Sequence, residues 1–174
     1  MLFKAAIFAI LLACCAEQPA MAADDIVADQ SALEAAFLYN FALFIEWPEY
    51  PANEFRICVL GNDPVLAALE PIKKKQVKEH PVSVKKLSSE TQALSCQVLF
   101  VGQTEHASIH SLASKIGNAP VLVVSEENGY DPKDVIISLV KLQGRIGFKI
   151  NLTAAEANSM TVSSKLLKLA LQVY

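Results

Sequence analysis

The stretch Ala35-Ala36-Phe37-Leu38-Tyr39-Asn40-Phe41-Ala42-Leu43-Phe44-Ile45-Glu46-Trp47-Pro48 restricts the fold of this chain more than any other. Phe37, Phe41, Phe44 and Pro48 fall at i, i+4, i+7 and i+11, which is helical spacing. Between Leu33 and Ile45 the only polar or amphipathic residues are Glu34, Tyr39 and Asn40. A helix apolar on every side is buried on two faces or offers one of them to a partner. It is too short to cross a bilayer, which takes about 20 apolar residues. Pro48 ends it, because the ring disfavours the helical conformation at Trp47. Phe37, Phe41 and Phe44 form one stripe, and Leu38, Ala42 and Ile45 form another. One stripe is expected to pack on the domain. The second, Leu38, Ala42 and Ile45 with Trp47, is expected to meet a partner or a second copy of the chain.

The N-terminus reads as an address. Lys4 is a minimal positive region, Ala5 to Ala13 are a short apolar core, and Ala20-Met21-Ala22 is a small-x-small cleavage site. This is the pattern of a Sec signal peptide over residues 1–22, leaving residues 23–174 as one exported domain. Leu11-Leu12-Ala13-Cys14 loosely resembles a lipobox, although Leu12 is a poor residue at its place. Cys14 and Cys15 leave with the signal, so Cys58 and Cys96 remain, 38 positions apart. An even count in an oxidising compartment reads as a disulfide, and no Cys-x-x-Cys redox motif is present. The net charge is −3, which does not suit a polyanion. The one basic cluster, Lys73, Lys74, Lys75, Lys78, Lys85 and Lys86, reads as a solvated edge, so no nucleic-acid partner is expected.

Residues 23 to 29 are short and acidic and read as a frayed tail, with the opening helix from Gln30 or Ser31 to Glu46. The first strand is Phe55 to Leu60. Gly61-Asn62-Asp63-Pro64 then turns into a short helix, with Asp63 as its cap, that stops before Pro71. Residues 81–87 alternate like an edge strand, and Ser89-Glu90-Thr91-Gln92 opens about one helical turn. Buried-type strands follow at 96–102 and 120–125, with a helix from Glu105 to Ile116 between them. Val135 to Leu142 and Arg145 to Ile150 pivot on Gln143-Gly144 as a hairpin. Two closing helices are expected at 154–158 and 163–173, the last on the spacing of Val162, Leu166, Leu169, Ala170 and Val173. Apolar strands alternating with helices argue an α/β fold in three layers. The expected sheet is mostly parallel, has about six strands, ends in an antiparallel hairpin and is flanked by helices.

Catalytic patterns are not evident. Gly61 and Gly102 each stand alone after a strand, without a Rossmann fingerprint, and there is neither a P-loop nor a Gly-x-Ser-x-Gly elbow. His106 and His110 are four apart on a helix, but no His-Glu-x-x-His pattern accompanies them, so a surface pair is expected rather than a metal site. Asn40, inside the apolar helix, and Asn151, closing the last strand, are read as buried structural groups. Each would tie a loop or helix end to the core by hydrogen bonds.

With these pieces in order, the chain resembles the YfiR family of bacterial periplasmic repressors. Four segments carry the resemblance: Ala35 to Phe41 with Phe44 to Pro48, Phe55 to Gly61, Gly144 to Leu152, and Ser163 to Ala170. It implies a periplasmic protein that holds an inner-membrane diguanylate cyclase inactive by binding its periplasmic sensor domain. An outer-membrane lipoprotein would sequester it, and reducing conditions would weaken repression. The family's disulfide falls on Cys58 and Cys96; a second pair found in some members has no counterpart here. Three classes of function are thus in view. The first is a non-enzymatic, cofactor-free repressor acting by protein contact, and the second is a periplasmic small-ligand binding module. Its crevice would lie at the carboxyl ends of the strands near Gly61, Gly102 and Ser125. An enzyme comes third, for want of a catalytic constellation.

Overall fold

Strands that are apolar along their whole length need cover on both faces, and this fold supplies it. A computed structural model describes residues 22–48, 53–127, 130–143 and 145–174. The expected signal peptide, apart from Ala22, lies outside the described residues. The elements are α1 (Ala22–Phe44), β1 (Ile45–Glu46), β2 (Phe55–Leu60), α2 (Val65–Ala68), β3 (Gln76–Val77), β4 (His80–Leu87), β5 (Val98–Val101), α3 (Ile109–Ile116), β6 (Leu122–Glu126), β7 (Ile137–Leu142), β8 (Arg145–Ile150), α4 (Leu152–Ala157), β9 (Thr161–Val162), α5 (Ser164–Leu167) and β10 (Gln172–Val173). Short 3-10 helices at Glu70–Lys74, Glu90–Ser95, Gln103–Ser108 and Pro132–Asp134 fill the connections.

Eight strands form one sheet in the order β10-β8-β7-β6-β5-β2-β4-β3. The five from β4 to β7 run parallel; β7 and β8 are the antiparallel hairpin, with Leu142 opposite Arg145. The chain therefore starts in the middle at β2, steps out to β4, and returns to β5 on the other side. That reversal makes a switch point between β2 and β5. The three-layer α/β expectation is borne out, with eight strands in the main sheet instead of six.

Alternation along the strands divides the core in two. Phe55, Ile57, Val59, Val98, Phe100, Leu122 and Val124 face α1. Cys58, Leu60, Leu99, Val101 and Val123 face the opposite layer, made by α3 and the Glu90–Ser95 turn. On the first face Phe41 meets Phe37 and Phe148 at 5.7 and 5.1 Å between ring centres.

Three differences from the sequence reading have physical causes. The opening helix begins at Ala22 and runs through the segment expected to fray. It ends at Phe44, two residues short of Glu46, because Ile45 and Glu46 leave it to pair with Val162 and Thr161. At the other end α5 is a single turn, capped by the Ser163 hydroxyl that accepts from the Leu166 amide at 3.3 Å. The chain then straightens into β10 beside β8, where the Leu171 amide donates to the Phe148 carbonyl at 2.8 Å. The open edge of β8 needed backbone partners, and that demand overrode the helical spacing of Leu169 and Val173.

Candidate functional site

The switch point concentrates the polar chemistry of the molecule. Beyond the carboxyl ends of β2, β4 and β5 lies a crevice of about 250 Å³ lined by Leu60, Ser88, Ser89, Glu90, Glu105, Ser108 and Lys115. Two glycines directly follow β2 and β5 at this edge of the sheet. Gly61 has φ +78°, and a Cβ there would come within 2.5 Å of the Glu105 carboxylate. A Cβ on Gly102 would lie 2.0 Å from Asp63 Oδ2. The arrangement is reciprocal: the loop after β2 lays Asp63 on the glycine that follows β5, and the loop after β5 lays Glu105 on the glycine that follows β2. Asp63 also accepts from the Val65 amide at 3.0 Å, so the expected cap is formed.

On the α3 side, Glu90 gathers the covering elements. Its carboxylate pairs with Lys115 Nζ and accepts from Ser111 Oγ at 2.9 Å. The Lys115 hydrogen bond, followed by that of Ser111, holds the Glu90 carboxyl below the usual range. On the α1 side, Glu126 accepts from Gln103 Nε2 at 2.6 Å and pairs with Lys141 Nζ at 2.5 Å. Glu34 accepts from Gln30 Nε2 at 2.7 Å and is 2 % exposed. Burial, with Glu126 and Asp63 nearby, pushes Glu34 above the usual carboxylate range. Burial likewise raises Asp63. Serines and carboxylates can bind a polar ligand here. Among the described residues no group of three His, Cys, Asp or Glu is placed to hold a metal ion.

The sequence-derived sites fall in different places. Cys58 and Cys96 form a disulfide with 6.0 Å between Cα atoms. Cys58 is paired with Leu99, not Cys96, in the sheet register; the bridge joins β2 to the turn just ahead of β5. The partner stripe is corrected. Leu38, Ala42 and Ile45 are fully buried in the core beneath α1 and have no free surface to offer. Trp47 is half-buried, with its ring 5.3 Å from Phe55 and its Nε1 donating to the Ala42 carbonyl at 3.2 Å. The exposed face of α1 is instead Leu33, Ala36, Asn40 and Leu43. Asn40 is thus also corrected: it is exposed and donates to the Ala36 carbonyl one turn back at 2.9 Å. Asn151 is 6 % exposed and caps α4, accepting from the Ala154 amide at 2.9 Å and donating to the Pro132 carbonyl at 3.3 Å. It borders a wider groove of about 460 Å³ between α3 and α4. His110 pairs with Asp134 at 2.9 Å on the surface.

Glu34, Glu126 and Lys141 were not singled out by sequence. The available signal was Glu34 itself, the one charge inside an otherwise apolar helical run.

Two solved structures share the fold. A conserved domain protein from Vibrio cholerae O1 biovar El Tor is 14% identical, with a TM-score of 0.57 over 83% of this chain and 60% of that one. The ABC domain from Streptococcus pneumoniae, solved in complex with L-Trp, is 13% identical, with a TM-score of 0.54 and the same coverage. The chain therefore spans about 60% of the length of each. No curated protein matches the sequence. Residues 31–171 match the YfiR/HmsC-like family model, and the chain belongs to that family.

Proposed function

We propose that this protein, exported by way of residues 1–22, represses an inner-membrane diguanylate cyclase by binding its periplasmic sensor domain, without catalysis of its own. The observation that carries this reading is the family match, which runs from within α1 to the residue before β10 and so takes in most of the described fold. The contact we assign is the outward face of α1, where Leu33 is 43 % and Leu43 is 40 % exposed. Ala36 and Asn40 lie between them at helical spacing. Leu38, Ala42 and Ile45 act from behind by fixing the helix on the sheet. The Cys58–Cys96 bridge makes repression redox-sensitive by stiffening β2 against the start of β5. An outer-membrane lipoprotein that competes for the same surface would relieve repression.

Pull-down from host membranes tests the reading. The wild-type domain should retain a diguanylate cyclase, and Leu43→Glu should lose it while keeping its circular dichroism spectrum. Deleting the gene should raise cyclic-di-GMP and surface attachment, and only the exported form should restore repression. Rescue by a form lacking residues 1–22 would refute the periplasmic mechanism.

The polar crevice at the switch point supports a second reading, a small-ligand binding module. Under that reading Ser89→Ala or Ser108→Ala abolishes ligand-induced stabilisation in a thermal-shift screen of polar metabolites. The cyclase pull-down would be unaffected.

A further inference from the structure

Three carboxylates from three elements gather between α1 and the carboxyl edge of the sheet: Asp63 packs on Gly102, Glu126 accepts a hydrogen bond from the adjoining Gln103, and Glu34 is buried on α1. Glu34 comes from α1, Asp63 from the loop after β2, and Glu126 from the end of β6. Lys141 of β7 is the cation that faces them, and it is paired with Glu126. Gln103 and Gln30 supply neutral amide donors to Glu126 and Glu34. Glu34 and Glu126 are 2 % and 7 % exposed. One cation thus stands against three acids, and water is largely excluded from two of them. Ionising all three against the one lysine leaves two unbalanced negative charges beneath α1, and a proton on Glu34 halves that excess.

We propose that protonation of Glu34 and Asp63, beside the Glu126–Lys141 ion pair, controls how firmly the first half of α1 is seated on the sheet, so that acid tightens the helix and rising pH loosens it. The sign follows from linkage. A carboxyl that holds its proton more tightly in the folded state contributes stability that is fully present below its unfolded value. That stability is lost as the pH rises through the folded value. Glu34 and Asp63 both titrate above their ordinary 4.5 and 3.8, so the change falls on the neutral side of those values. Glu54, Glu90 and Asp131 act in the opposite sense because their partners hold them low. All three lie away from the cluster, on other elements. Global stability therefore mixes the two trends, and local opening of α1 separates them.

The experiment is hydrogen exchange by mass spectrometry on the full domain from pH 3.5 to 8, a window that opens below both ordinary carboxylate values, corrected for intrinsic exchange. Peptides covering residues 28–44 should lose protection as pH rises, by up to about tenfold per pH unit where one net proton is released. Peptides from β5 and β6 should lose less. Glu34→Gln, which keeps the amide neighbour and removes the charge, should show a shallower slope with pH and protection close to the wild-type value in acid. Asp63→Asn, which can still cap α2, should reduce the slope without abolishing it, and serves if Glu34→Gln folds poorly. Protection of α1 that is flat in the wild type, or a slope unchanged in both variants, overturns the proposal.

Discussion

The two faces of the sheet are closed by different means. Under α1 lie large rings: Phe41, Phe55, Phe100 and Phe148, with Phe37 and Trp47 at the margin. Among the described residues the opposite face holds no phenylalanine in its core, only Leu, Val, Ile, Ala and the two cysteines, under the eight-residue α3 and a 3-10 turn. Its cover is fastened by a covalent bond from Cys58 to Cys96 and by polar ties from Glu90 to Ser111 and Lys115. A layer that buries less apolar area gains less from water exclusion, and cross-links make up the difference. The contrast teaches where each kind of damage should be felt.

Removing a ring from the thick face should cost most. Phe41→Ala, at 0 % exposure, should destabilise the domain by about 3–5 kcal/mol in urea unfolding, as large-to-small changes in aromatic cores do. On the thin face, the Cys58→Ser/Cys96→Ser pair should lose up to about 4 kcal/mol, the chain-entropy value for a loop of this length. That loss is an appreciable share of a typical domain stability of about 5–15 kcal/mol, so the reduced protein should remain folded. Calorimetry with and without reductant checks it, and no change in melting temperature would show that α3 seals its face unaided. Asn151→Ala, which uncaps α4 without touching either core, should cost about 1 kcal/mol.

The smallest effect concerns the polar tie. Lys115→Met should cost less than about 1 kcal/mol near neutral pH, because the pair is largely at the surface. Its pH dependence has a definite sign. Glu90 is held low, so the tie stabilises the fold above the ordinary carboxylate value of 4.5, and that contribution is lost as pH falls through the depressed value. Wild type and Lys115→Met should therefore converge in acid. Divergence there would mean that Lys115 acts by packing.

The contrast between faces also explains what sequence could disclose. β2 and the β7–β8 hairpin were legible because apolar runs bounded by Gly, Pro and Asn leave few choices. Cys58 and Cys96 were legible by count. The orientation of α1 was not. Its apolar residues occupy every side, so periodicity could not tell Leu38, Ala42 and Ile45, which face the sheet, from Leu33, Ala36 and Leu43, which do not. Only the neighbours decide, and they are supplied by distant segments. Asn40 misled for the same reason, since an apolar surround in sequence was read as one in space. The crevice was half legible. Gly61 and Gly102 marked the strand ends, whereas the carboxylates placed on them meet only once β2 and β5 lie side by side.

The short antiparallel pairing of β1 with β9 has a kinetic consequence. Ile45 meets Val162 and Glu46 meets Thr161, and the Ser163 amide donates to the Phe44 carbonyl at 3.0 Å. The clasp that fixes the end of the apolar helix thus waits for residues more than 100 positions later in the chain. Closing so distant a contact is entropically costly and slow compared with local pairing. Until it closes, α1 is the most adhesive part of a nascent chain whose remaining strands can already pair. Refolding should therefore show early sheet formation and late burial of Trp47, with aggregation confined to the interval between them.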